Sequence, residues 1–101
     1  MKELKLFKLV SGDVVLGKLN PEDLKKEEVV VDKPMQLMLD PTQGGIGMLP
    51  YNALYSQIEP EEVSFKVIHI MEFIPVHKTF EDAYTTQTAG IEIVTPEIEV
   101  G

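Results

Sequence analysis

The residues of this chain whose types could do chemistry are two histidines, a serine beside a glycine, and one glycine-rich run. His69 and Glu72 are three apart in a β-rich stretch, where alternate side chains point to opposite faces, so the pair does not form a metal site. His69 shares its face with Val63, Phe65, Val67, Met71 and Phe73, which predicts a hydrogen-bonded histidine in a core or an interface. His77 follows Pro75 and is expected in solvent. Ser11 precedes Gly12 but has no histidine or acid at a spacing that would activate a nucleophile. Gly44-Gly45-Ile46-Gly47 lacks the Gly-Lys-Ser/Thr of a phosphate loop, and no helix is predicted to start there, so it reads as a plain loop. Met35, Met38, Met48 and Met71 suit gaps in a core or an interface better than they suit a cofactor. These patterns predict no catalytic residue, no metal and no cofactor.

The elements that position these residues come from one small domain. The chain has 101 residues, 44% of them hydrophobic, which suits a globular fold. A chain this short buries only part of its surface, and assembly with copies of itself would add stability. There are no cysteines, which excludes disulfides and thiolate zinc sites. No apolar run approaches the roughly 20 residues of a membrane-spanning helix, and Met1-Lys2-Glu3-Leu4-Lys5 lacks the apolar core of a signal peptide. A soluble cytoplasmic protein without membrane contact is expected. The formal net charge is −8, with nine lysines and no arginine. Nucleic-acid binding draws on cations that displace counterions from phosphates, so this balance argues against broad, non-specific binding. After Lys78 only acids remain: Glu81, Asp82, Glu92, Glu97 and Glu99. That end reads as a solvated polar face.

Short β-rich segments separated by turn signals dominate. A first strand is predicted from Leu4 to Val10, a tight turn at Ser11-Gly12-Asp13, and a second strand from Val14 to Leu19 with Val15, Gly17 and Leu19 on one face. Asn20-Pro21-Glu22-Asp23 breaks the pattern, and a charged connection leads to a third strand, Val29 to Leu39. Pro34 marks an edge, kink or bulge within it. A loop covers Asp40 to Gly45, a fourth extended segment runs from Ile46 to Ile58, and a fifth strand from Val63 to Ile74 is apolar on both faces. After Pro75 a short helix is predicted, with Thr79 and Asp82 as its capping box and Phe80, Ala83, Tyr84 and Gln87 on one face. Gly90 would stop it, and Ile91 to Val94 would form a last short strand before a loose tail. The boundary falls near 75, with a barrel over 1–75 and a helix, strand and tail over 76–101. Five strands at this spacing predict an all-β fold, a small, strongly bent barrel.

The stretch Leu9 to Leu19, LVSGDVVLGKL, resembles the first Sm motif of the Sm-like (LSm/Hfq) superfamily. Gly12 sits in the turn, and Val15, Gly17 and Leu19 match the aliphatic, glycine and leucine of the bent second strand. Asp32-Lys33-Pro34-Met35-Gln36-Leu37 resembles the family's Asp, two variable residues, Met-Asn-Leu. KLVSGDVVLG, IGMLPY at Ile46 to Tyr51, and Ala83-Tyr84 with Gly90-Ile91 are similar to the short Sm-like proteins of cyanobacterial phages. The resemblance covers most of residues 4–94. Fifteen positions separate Gly17 from Asp32, more than in most Sm proteins. The turn can therefore lie at Asn20 to Glu27, which would place Asp32 to Gln36 inside the third strand. The second Sm motif, an Arg-Gly or Lys-Gly pair, is missing, and Lys66 is the only cation between Ile58 and Val67.

The resemblance implies an Sm-like barrel that assembles into a homo-oligomeric ring of roughly five to seven copies through pairing of edge strands. Tyr51, Tyr55, Phe65 and Val67 are the interface residues it implies. It also implies single-stranded RNA as a partner, with Gln36 contacting a base edge, Pro34 at the stacking position, Lys33 as a further candidate contact and Lys66 as a more distant one. A ring that acts as a scaffold or protein-binding module, without RNA, is the reading of a different class. If the chain is phage-encoded, the compartment implied is the host-cell cytoplasm.

Overall fold

A computed structural model describes residues 1–39, 44–51 and 61–88. Their strands are β1 (Glu3–Leu9), β2 (Val14–Leu19), β3 (Glu28–Leu39), β4 (Ile46–Pro50), β5 (Glu62–Lys66) and β6 (Ile70–Ile74), and one helix follows, α1 (Lys78–Thr88). All strand pairs are antiparallel. The sheet runs β4-β3-β2-β1-β6, and β5 also pairs with β3.

The β1–β2 hairpin forms where the turn chemistry places it. Gly12 takes a φ of 98°, and its N–H donates to the Leu9 carbonyl at 2.9 Å. After β2, the Asn20 side chain accepts the Glu22 N–H at 3.1 Å and caps a 3-10 turn, Pro21–Lys25. Asp32 to Gln36 therefore lie inside β3, while the connection from β2 is the 20–27 stretch.

The bend of the sheet is a bulge opposite a glycine. Leu16 pairs with Met35 and Lys18 with Asp32, so Gly17 faces two residues, Lys33 and Pro34. Lys33 takes a φ of 44°, a left-handed conformation that residues with a side chain rarely adopt. A Cβ on Gly17 would overlap Val31 Cγ1 and lie 3.2 Å from the Asp32 carbonyl oxygen. The extra residue also shifts the alternation of faces. Val29 and Val31 point into one core with Phe7, Leu9, Val15, Leu19 and Phe65. Met35, which simple alternation would put beside them, instead joins Leu6, Leu16 and Tyr84 on the opposite face. Pro34 is thus a bulge residue, as its missing donor requires.

Several expectations need correction. Among the described residues the sheet has six strands rather than five, and it is not closed into a barrel. The added strand arises because β4 and β5 lie along successive halves of β3: Ile46–Pro50 pairs with 35–39, and Glu62–Lys66 with 28–32. The stretch from Val63 to Ile74 is not one strand. A 3-10 turn at Val67–His69 divides it, because β5 follows β3 while β6 must follow β1 at the far end of the sheet. The turn is tied at both ends: the Val67 N–H donates to Glu27 O at 2.9 Å, and the Val10 N–H to His69 O at 2.8 Å. His69 consequently leaves the apolar face and is exposed, not a core histidine.

The helix starts at Lys78, and its cap is not Thr79. The exposed His77 ring accepts the Thr79 N–H at Nδ1, 3.1 Å away, and the His77 carbonyl accepts from Phe80 and Glu81. An acceptor one residue ahead of the helix reaches the free amides first, so the predicted capping box is displaced. Tyr84 and Phe80 pack on the Leu6–Leu16–Met35 face. Gly90 and the strand expected at Ile91 to Val94 lie outside the described residues, as does the whole of the segment Ile46 to Ile58 beyond Tyr51, Tyr55 included.

Candidate functional site

Two edges of the sheet are unpaired among the described residues. β6 bonds only to β1, and β4 and β5 bond only to β3. Free edges expose rows of N–H and C=O groups that can accept another strand. The β6 edge also carries a bulge. Lys8 pairs with Glu72 and Leu9 with Ile70, which leaves Met71 as the extra residue. Met71 is 58% exposed and Phe73 43%, with Ile68 of the preceding turn at 80%. Phe73 also lies edge-on to Phe7, centroids 5.9 Å apart, so it sits on the core side of the sheet at its rim.

A groove of about 510 Å³ runs along the β5 edge. Val63, Phe65 and Tyr51 give it an apolar floor with Leu9, while Ser64, Lys66 and His69 stand on its rim. Consecutive residues of β5 line it from both faces, so it follows the strand's free main chain. Tyr51 is held there by its ring against Phe65, centroids 5.2 Å apart, and by its N–H donating to Pro34 O at 2.9 Å. Burial, with the nearby Asp13 carboxylate, pushes the Tyr51 phenol above its ordinary value. Ser64 Oγ donates to Glu28 at 2.7 Å. Among the described residues Lys66 makes no ion pair.

Another hollow, about 770 Å³, lies at the bulge and is polar: Lys18, Asp32, Lys33, Glu61, Glu62 and Tyr84 line it. Tyr84 Oη donates to the Asp32 carbonyl at 3.0 Å and so fastens α1 to the bulge. Burial, helped by the Asp32 charge, pushes the Tyr84 phenol up to about 12, against the opposing pull of the Lys18 N–H. The Asp32 carboxylate accepts the Lys2 ammonium at 2.7 Å, which raises the Lys2 pKa.

The residues implied for RNA do not converge. Lys33 lines the polar hollow, Lys66 the groove on β5, and Gln36 neither. Gln36 stands mid-strand between Val15 and Leu49, and its amide donates to Asp13 Oδ1 at 3.1 Å. Of the implied interface residues, Phe65 is buried in its own core, and Tyr51 and Val67 pack partly against that core. Met71 and Phe73, which the alternation pattern grouped with the buried face, are the exposed ones. Their exposure follows from the break at Val67–His69, and no local sequence signal marks it. Among the methionines, Met35 and Met48 fill the helix-side core, whereas Met38 and Met71 are exposed. Ser11 is exposed, with its hydroxyl 3.0 Å from Asp13 Oδ2. Among the described residues no three metal-binding side chains cluster, and no helix is long and apolar enough to cross a membrane.

No family model and no curated protein matches this chain.

Proposed function

We propose that the chain is a non-catalytic, self-assembling module of Sm-like type, whose copies join through the edges of their sheets. The observation that carries this reading is the pair of sheet edges left open among the described residues, with large apolar side chains exposed on β6 and an apolar groove along β5. The Sm-like part rests on the bent β2 strand at Gly17 and on strand order. Counted as one interrupted strand, β4 and β5 reduce the six strands to the five of that family. The assembly would act as a scaffold or protein-binding platform.

RNA recognition is the less supported reading. Its three candidate residues lie apart, Gln36 already has a partner in Asp13, and Lys25 and Lys26 are paired with Glu22 and Asp23. Light scattering at micromolar concentration tests the assembly: a mass that is a multiple of 11.3 kDa is expected, and a monomer would overturn the reading. Titration with labelled oligo-U, oligo-A and mixed single strands at low and moderate salt tests the alternative. No saturable binding is expected, whereas binding lost on Gln36→Ala would transfer the protein to the RNA-binding class.

A further inference from the structure

We infer, on the basis of the self-assembly reading, that β4 pairs with β4 of a second copy across a two-fold axis through Met48. The Tyr51 N–H donates to Pro34 O, and the antiparallel register then gives Leu49 and Gly47 the same inward bonding, to Gln36 and Met38 of β3. Ile46, Met48 and Pro50 alternate with them. Their main-chain groups therefore point away from β3, along an edge with no partner among the described residues. Pro50 lacks a donor, and because its nitrogen points outward its own sheet loses no bond. Laying two whole copies of Ile46–Pro50 antiparallel sets Met48 opposite Met48, and these exchange both of their bonds. Each Ile46 N–H then meets the Pro50 carbonyl of the other copy. Pro50 stands at the end of the pairing, where its missing donor matters least.

Side chains and charge select a second copy as the occupant. Leu39 and Ile46 stand opposite each other on the helix side of the sheet, beyond the part that α1 covers, and are 73% and 53% exposed. Met38 and Leu49 are exposed on the reverse side. Pairing brings Ile46 beside Pro50 of the second copy and Leu49 over its Gly47, which has no side chain to obstruct it. Copies that each carry −8 repel wherever their acids meet. From Pro34 to Ile58 Asp40 is the only charged residue, although 26% of the chain is charged. β5 carries Glu62 and Lys66, and β6 carries Glu72, whereas β4 carries no charge. Open edges are ordinarily guarded by charged side chains, lysine above all. This edge lacks that guard. The contact uses the same patch on both copies, so it closes at two and leaves the β5 and β6 edges available for other joins.

The chain has no cysteine, so a single introduced thiol reports on its own position in the full-length protein. Met48→Cys, treated with a short bifunctional maleimide at micromolar concentration, is expected to form a covalent dimer about tenfold or more faster than Lys25→Cys. Lys25 is exposed in the 3-10 turn ahead of β3, and its variant sets the rate of random collision. Met48 is partly buried, so the exposed Leu49 supplies a second probe: Leu49→Cys would lie diagonal to its own copy, about 7–8 Å away. Ile46→Lys restores a guard to the edge and is expected to raise the dissociation midpoint, read by sedimentation velocity over a dilution series, about tenfold or more. Ile46 is exposed, so far-UV circular dichroism should be unchanged. An oligomeric parent in which neither thiol cross-links faster than Lys25→Cys would overturn this inference and leave the self-assembly reading standing. Met48→Cys that cross-links to Met71→Cys in a mixture of the two chains, but not to itself, would put β6 on this edge and overturn the two-fold. A parent that is monomeric at every concentration would overturn the reading beneath it.

Discussion

Replacing Gly17 with alanine tests whether the bend of this sheet depends on the close approach of β2 and β3. The new Cβ would overlap Val31 Cγ1, and Val31 has no exposed surface into which to turn. It would also press on main chain, 3.2 Å from Asp32 O and 3.3 Å from Pro34 Cα, atoms that cannot rotate aside. Over-packing of this kind costs about 1–3 kcal/mol, and contacts with main chain place this site at the upper end. Stiffening of the unfolded chain returns about 0.4–1 kcal/mol. The net expectation is a loss of about 2 kcal/mol, which for a domain of this size lowers Tm by roughly 8–16 °C.

Urea unfolding followed by circular dichroism, at fixed protein concentration, measures this loss. Val31→Ala in the same background removes the overlapping methyl, and the two substitutions should be coupled by about 1 kcal/mol or more. A Gly17→Ala protein within about 0.5 kcal/mol of the parent, or strict additivity with Val31→Ala, would refute the reasoning.

Tyr84→Phe removes the donor to the Asp32 carbonyl and should cost about 1–3 kcal/mol at neutral pH. The same substitution tests alkaline behaviour. Folding raises the Tyr84 phenol to about 12, so the folded chain keeps a proton that the unfolded chain sheds from about pH 10. Stability is therefore whole below about pH 10 and falls towards pH 12, and the fall should be shallower in Tyr84→Phe when both are titrated by urea unfolding. At Lys33, whose φ is 44°, Lys33→Gly should be more stable than Lys33→Ala by about 1 kcal/mol, the reverse of the usual order in a strand. His77→Ala should loosen the first turn of α1 by about 1 kcal/mol, seen as faster hydrogen exchange at Thr79 and Phe80.

Local chemistry in the sequence determined the first half of the fold. Gly12 is a residue that accepts a positive φ, and alternation on either side of it leaves a hairpin as the pairing that buries Phe7, Leu9, Val15 and Leu19 together. Pro34 has no N–H, so some irregularity in β3 was required, and the placement of a helix after Pro75 follows equally from residue types. The cap was misplaced by the histidine, whose ring acts as an acceptor only when its geometry is known.

Tertiary structure alone decided the rest. The run from Val63 to Ile74 has neither glycine nor proline between its ends, and nothing local tells it to break. It breaks because β3 and β1 lie apart in the sheet and one straight strand cannot pair with both. That single turn exposes His69, Met71 and Phe73. The bulge at Lys33–Pro34 likewise sends Met35 to the helix side, a change of face that alternation cannot foresee. The Asp32 to Gln36 match to a base-binding motif was legible as letters, but its position inside β3 gave Gln36 a partner in Asp13. Sequence reports which side chains can be buried or bent. Which edges stay open, and what stands beside them, is set by how distant strands find each other.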